Sequence, residues 1–259
     1  MALTVRRFLA ALFAVALVCA SVFVGDARAQ GAPLRVLASN GVKAAMEELR
    51  PLCEREIGRP LALDFSSTAG LRKRIESGEA FNVTIITVEA VEALTKAGKI
   101  AAGSSVPVGR SELGIGIRSG TSRPDIKTRD ALKAALRNAA SITYPQDGAT
   151  RGNIEQMFER LGIAAEIKPR IILASGSVAA TESVAAGKAA MVLTLFSEIM
   201  PIRGVEVLGA LPGEFATEVK FDAATSTASK DSQAAKALIA LVAGGKTTDV
   251  FKAKGVQRR

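Results

Sequence analysis

Four times in this chain an apolar, strand-like run breaks into a short turn rich in Ser, Thr, Asn or Gly and then into a helical pattern. Strand alternating with helix argues for an open α/β sheet, mainly parallel and flanked by helices. Residues 34–38 run into Ser39-Asn40-Gly41, after which Val42, Ala45, Met46, Leu49 and Leu52 follow at 3-4 spacing. Residues 61–65 run into Ser66-Ser67-Thr68-Ala69-Gly70 and a basic helical segment that ends near Ser77. A strand at 141–144 meets the turn 145–150, followed by a helix with Ile154, Met157, Phe158 and Leu161 on one face. A strand at 171–173 meets Ala174-Ser175-Gly176-Ser177, with a helix at 178–186 after it.

Between and beyond these units the pattern adds a buried strand at 83–86, a helix carrying Val88, Val91 and Leu94, and a helix at 130–138. Further strands are expected at 191–196, 205–208 and 221–226, before a late helix with Ala235, Leu238, Ile239 and Val242. The extended stretch 106–118, VPVGRSELGIGIR, carries Gly109, Gly114 and Gly116 and suits a backbone crossing from one lobe to another. Two α/β lobes are therefore expected, one from residues 30–109 with 225–259 and the other from 110–224. Residues 1–29 read as a secretory signal peptide: Arg6 and Arg7, an apolar run at 8–24, then Ala27-Arg28-Ala29 as cleavage site, with Gln30 the first mature residue. That predicts a periplasmic protein.

Composition removes whole classes of chemistry. The 259 residues include no histidine, which excludes Ser-His-Asp and Cys-His catalysis and the usual zinc and haem sites. Of the two cysteines, Cys19 falls in the signal segment and Cys53 continues a buried helical stripe, so neither a disulfide nor a nucleophile is expected. A formal charge of +9 without tryptophan and with one tyrosine does not suit nucleic-acid binding. Gly114-Ile115-Gly116 lacks the third glycine of a dinucleotide fingerprint, and Gly244-Gly245-Lys246-Thr247 has Ala240 where a phosphate loop needs glycine. No cofactor and no metal are predicted.

Turns at the carboxyl ends of strands in an open α/β sheet are where ligands bind, and they also present helix N-termini. Free backbone N–H groups and side-chain hydroxyls there hold an anion without a cation. Each turn taken singly is better explained as an ordinary helix cap. Four in one topology point to a shared cleft for a small anion. Lys43, Arg72, Lys73 and Arg74 read as solvated helix charges; Arg151, at the first turn of its helix, has a role if the ligand is a carboxylate.

The stretches VLASNGVKAAMEEL, FSSTAGLRKRIESGEAFNVTIIT, GRSELGIGI, MFERLG and AAGKAAMVLTLFSEI, in this order along nearly the whole mature chain, resemble the periplasmic molybdate-binding proteins of ABC importers, within the type 2 solute-binding fold. The resemblance implies an oxyanion held by serine hydroxyls and backbone amides after the first and second strands, near Asn40, Gly41, Thr68 and Ala69. It also implies an inner-membrane permease as partner and a monomeric receptor. The family's first-turn serine falls on Gly41, with Ser39 and Asn40 beside it; its cleft tyrosine falls on Leu195; Asn82 stands where it has aspartate. Molybdate, tungstate, a sulfate-like oxyanion or a small carboxylate all remain open as ligands.

The candidate ligand-binding residues are therefore Ser39, Asn40, Gly41, Ser67, Thr68, Ala69, Tyr144, Thr150, Arg151, Ser177 and Leu195, with no catalytic residue. The rival is a histidine-free enzyme on the same two-lobed scaffold, with carboxylates such as Asp64 or Asp147 as acid and base.

Overall fold

The computed structural model describes residues 32–259; the expected signal peptide and Gln30 lie outside the described residues. The chain runs β1 (Leu34–Ser39), a 3-10 turn (Asn40–Val42), α1 (Lys43–Ile57), β2 (Leu61–Ser66), α2 (Thr68–Glu76), β3 (Val83–Thr87), α3 (Val88–Lys96) and β4 (Val106–Arg118). It continues through α4 (Arg129–Asn138), β5 (Ile142–Pro145), α5 (Arg151–Leu161), α6 (Ala164–Ile167), β6 (Ile171–Ala174), α7 (Ser177–Ala185), β7 (Met191–Leu195) and α8 (Phe196–Ile199). The last elements are β8 (Val205–Ala210), β9 (Glu218–Thr225), α9 (Ser232–Ala243) and α10 (Thr248–Ala253).

The strands form one path in the order β2-β1-β3-β9-β4-β7-β5-β6, with β8 also on β4. Parallel pairing joins β1 to β2 and β3, and joins β5 to β6 and β7. β4 links the halves. Its residues 106–112 pair antiparallel with β9, while 113–118 pair with β7 and β8. At the changeover an added Cβ on Gly114 would lie 2.0 Å from the Phe196 ring, so a side chain there would collide with α8.

Side-chain burial follows the periodicities. All five residues of β3 are buried, as a parallel strand covered on both faces requires. In α1, Ala45, Met46, Leu49 and Cys53 face inward, and the helix continues through Pro51. Cys53 is fully buried, and burial with the Glu54 charge pushes its thiol up to about 11, so it stays protonated and unreactive. One core joins β1, β3, β9, α1 and α9; a second joins β4, β5, α4 and α5. Among the described residues no helix is long and apolar enough to cross a membrane.

Several strand ends shift by a few residues from the pattern reading, and two of these shifts have a clear physical cause. β9 starts at Glu218 rather than 221, because Glu218 and Lys220 alternate outward with Val219 and Phe221 inward and Arg110 pairs with Glu218 at 3.1 Å. β7 stops at Leu195, since Phe196 already opens α8 although its apolar character continues the run.

The C-terminal residues fasten the crossover. Gln257 exchanges both backbone hydrogen bonds with Arg110, at 2.7 and 2.8 Å. Arg258 then donates to the carbonyls of Val108 (2.7 Å), Val242 (2.9 Å) and Gly244 (2.9 Å), and its guanidinium lies 4.7 Å from the Phe251 ring. Hydrogen bonds to a charged group contribute roughly 1.5–3 kcal/mol. Arg258→Ala is expected to lower unfolding stability by roughly 2–3 kcal/mol in urea denaturation, and Arg258→Lys, which cannot span the three carbonyls, to recover less than half of that.

Candidate functional site

β1 and β2 in one half and β5, β6 and β7 in the other run in opposite senses along the connected sheet, so their carboxyl ends and the turns that follow them face each other. Ser39, Asn40, Ser67, Thr68, Asp147, Thr150, Ser177, Leu195 and Glu198 line one small pocket there, with Pro145, Gly148 and Ala149. All four hydroxyl-rich turns contribute, two from each half of the sheet. The enclosed space is about 20 Å³, enough for one water-sized sphere. It adjoins a more open groove of about 560 Å³ that shares Thr68, Asp147, Gly148 and Ala149. A larger groove of about 720 Å³, along 117–125 and 131–141, contains none of the turn residues.

The first half supplies two serines whose hydroxyls are engaged as caps. Ser39 Oγ accepts from Gly41 N at 3.3 Å, and Ser67 Oγ accepts from Gly70 N at 3.0 Å at the start of α2. Ser67 also donates to Asp147 Oδ2 at 2.7 Å, which ties the two halves together at the pocket mouth. A carboxylate at the N-terminus of α2 sits where the helix dipole favours negative charge. Thr68 is different: its Oγ1 is buried and has no hydrogen-bond partner.

The second half repeats that arrangement. Ser177 opens α7, is 3% exposed, and its Oγ likewise has no partner. Beside it lies the carboxyl group of Glu198, close to the Ser177 hydroxyl but without a well-formed hydrogen bond. Glu198 Oε2 accepts from Thr194 Oγ1 and from Leu195 N, the latter at 3.4 Å. Burial, reinforced by the Asp147 charge, pushes the Glu198 carboxyl above the ordinary glutamate range. Among the described residues no Lys or Arg lines the pocket.

Seven of the predicted residues meet here: Ser39, Asn40, Ser67, Thr68, Thr150, Ser177 and Leu195. Four stand elsewhere. Gly41 is buried against Phe221, whose ring would lie 2.4 Å from an added Cβ, so a serine at this position would need that ring to move. Ala69 faces the adjoining groove. Tyr144 is buried in the second core beside Phe158, with its hydroxyl 3.5 Å from Glu155. Arg151 points away, bonded to Glu155 Oε1 at 2.8 Å and to the Gln146 carbonyl at 2.7 Å. Asp64, the rival acid, lies outside the pocket: Arg74 donates to it, at 3.2 Å from Nη1 to Oδ1, and holds its carboxyl below the usual range.

The pattern reading missed Glu198, because the apolar run through Phe196 concealed a fifth strand-to-helix junction. The legible signal was an acid placed just beyond a fully buried strand. Its electrostatics give a signed prediction. A carboxyl whose pKa is raised by folding contributes most stability below its ordinary value of 4.5, and that contribution is lost as pH rises through the folded value. Unfolding stability is expected to fall over that range, and Glu198→Gln to flatten the fall, as read by denaturant midpoints at several pH values. An unchanged slope would show that Glu198 ionises freely.

The family described as bacterial extracellular solute-binding protein matches residues 34–257. The chain is 25% identical over 233 residues to an aconitate isomerase from Pseudomonas sp., covering 86% of this chain and 87% of that one. It is 26% identical over 264 residues to the molybdate-binding protein ModA of Azotobacter vinelandii, covering 98% of each. The solved periplasmic molybdate-binding protein of Azotobacter vinelandii superposes with a TM-score of 0.74 at 18% identity, over 87% of this chain and 99% of that one. The architecture is that of type II periplasmic binding proteins, as the resemblance implied. With its turns, its crossover and nearly its whole described length matched, the chain belongs to the bacterial extracellular solute-binding protein family.

Proposed function

We propose that this protein is an exported, monomeric receptor that closes two lobes on a small anion and passes it to an inner-membrane permease. Lobe I comprises residues 30–109 with 225–259, lobe II comprises 110–224, and the paired strands β4 and β9 are the hinge. The observation that carries the reading is the pair of buried, unpartnered hydroxyls, Thr68 Oγ1 and Ser177 Oγ, at helix N-termini of opposite halves. A buried hydroxyl without a partner costs roughly 1–3 kcal/mol, a cost that bonding to a ligand would offset. As part of this reading, the incoming anion displaces Asp147 from Ser67 and takes over the α2 N-terminus.

The ligand is an oxyanion such as molybdate or a small carboxylate. Gly41 and Leu195 lack the hydroxyls that the resemblance implies for molybdate, which favours the carboxylate. A second reading has one specific support: Asp147 and Glu198 both line the pocket, and one relative bears the name aconitate isomerase. Two carboxyl groups in unlike surroundings suit proton abstraction and return on a small organic acid.

Calorimetric titration with molybdate, tungstate, sulfate, phosphate, citrate and cis- and trans-aconitate tests the first reading, and an absorbance assay of aconitate interconversion tests the second. A bound anion at 100 times its Kd should stabilise the protein by about 2.7 kcal/mol. Thr68→Val is expected to weaken binding roughly 10- to 150-fold while leaving stability equal or slightly higher, since it removes an unpaired buried hydroxyl. Wild-type affinity in this variant would return Thr68 to a purely local role.

A further inference from the structure

The pocket has an acid in its lining and, among the described residues, no cation, an unusual combination for a receptor of anions. Glu198 is fixed by one oxygen: Oε2 accepts from Thr194 Oγ1 and Leu195 N. Among the described residues no protein donor bonds Oε1, although the Ser177 hydroxyl lies near the carboxyl group, and the residue lines the pocket between Ser177 and Leu195. An ionised Glu198 would place its charge beside that of any bound anion, with Asp147 already at the mouth. A protonated Glu198 instead has a donor to offer, and Oε1 is the oxygen free to carry it.

We propose that Glu198 binds the anion as a neutral acid, donating an Oε1–H hydrogen bond to it alongside the Thr68 and Ser177 hydroxyls, so that anion and proton are held together. This rests on the receptor reading and adds its specificity: the site prefers a strong acceptor, a carboxylate or oxyanion oxygen, and binds it more tightly as pH falls. The groups facing Glu198 are consistent with that from every side. Thr194 on β7 and Ser177 on α7, the side chains nearest its carboxyl group, are neutral, as is Thr181, which bonds its backbone carbonyl, and among the described residues Asp147 from the turn after β5 is the charged group acting on it. That charge and the surrounding protein both oppose ionisation. Glu198 is a specificity-determining residue here; no bond is made or broken beyond the shared proton.

Two measurements test this. In the first, wild-type protein is titrated calorimetrically with sulfate, molybdate and trans-aconitate across the whole pH range in which it stays folded, in two buffers of different ionisation enthalpy at each pH. Above the Glu198 pKa, affinity should fall about tenfold per pH unit, with uptake of close to one proton per anion. Glu198→Gln, which keeps an N–H donor, should bind with no pH slope and no proton uptake. A wild-type affinity independent of pH together with a Glu198 that titrates normally, or a slope that survives in Glu198→Gln, would overturn the proposal. In the second, carboxyl carbon-13 spectra of the unliganded protein should show one glutamate, absent from Glu198→Gln, titrating above its peers. Ordinary titration of that signal overturns the proposal with or without a ligand. If no probe binds, the receptor reading fails, and the carbon-13 signal still decides whether the acid is neutral.

Discussion

Everything at the site depends on the antiparallel pairing of β4 with β9. These strands lie side by side over 106–112, then β4 continues into the second half of the sheet and pairs with β7 and β8. A single thirteen-residue strand shared by both halves sets their relative placement and brings the turns after β1 and β2 against those after β5 and β6. Gln257 and Arg258 reinforce the junction: Gln257 pairs with the Arg110 backbone, and Arg258 binds the Val108 carbonyl and shares those of Val242 and Gly244 with Thr247. The two larger cores draw mainly on different elements, one on β1, β3, β9, α1 and α9 and the other on β5, α4 and α5, while β4 and β7 contribute residues to both.

Within that frame the polar groups divide by whether the protein already uses them. Ser39 and Ser67 cap their own helical turns, so their hydroxyls serve local structure. Thr68 and Ser177 have no such use, and retention of unpaired buried hydroxyls at facing helix ends is the pattern expected of a site adapted to something outside the chain. Glu198 lies between these cases, one oxygen anchored and one free. Arg72 lines the adjoining groove, and two other cations near the turns are engaged by acids. Arg74 joins Asp64 and Glu79 in an ion-pair group, and Arg151 is bound to Glu155.

The alternation of apolar runs and turns made the architecture readable, because parallel strands buried on both faces and helices with a single apolar stripe leave distinct periodicities. β3 and α1 are the clearest cases. The site was legible where a hydroxyl occupied a strand-to-helix junction, as at Thr68 and Ser177. It was not legible where tertiary packing decided the outcome. Nothing local shows that Tyr144 turns into the second core or that Phe221 fills the space beside Gly41, whereas the pairing of Arg151 with Glu155 is an i,i+4 contact that the helical spacing did offer. Glu198 was hidden for a related reason: Phe196 extends the hydrophobic run of β7 while its backbone has already entered a helix.

The central claim is that an anion is gripped from both halves at once by groups the protein leaves unpaired. Its most direct test is a crystal structure of the protein with a titration-identified anion bound. The account predicts ligand oxygens within hydrogen-bonding distance of both Thr68 Oγ1 and Ser177 Oγ, with Ser67 and Asp147 drawn apart. An anion held by one half alone, or seated in the groove along 117–125 and 131–141, would contradict it.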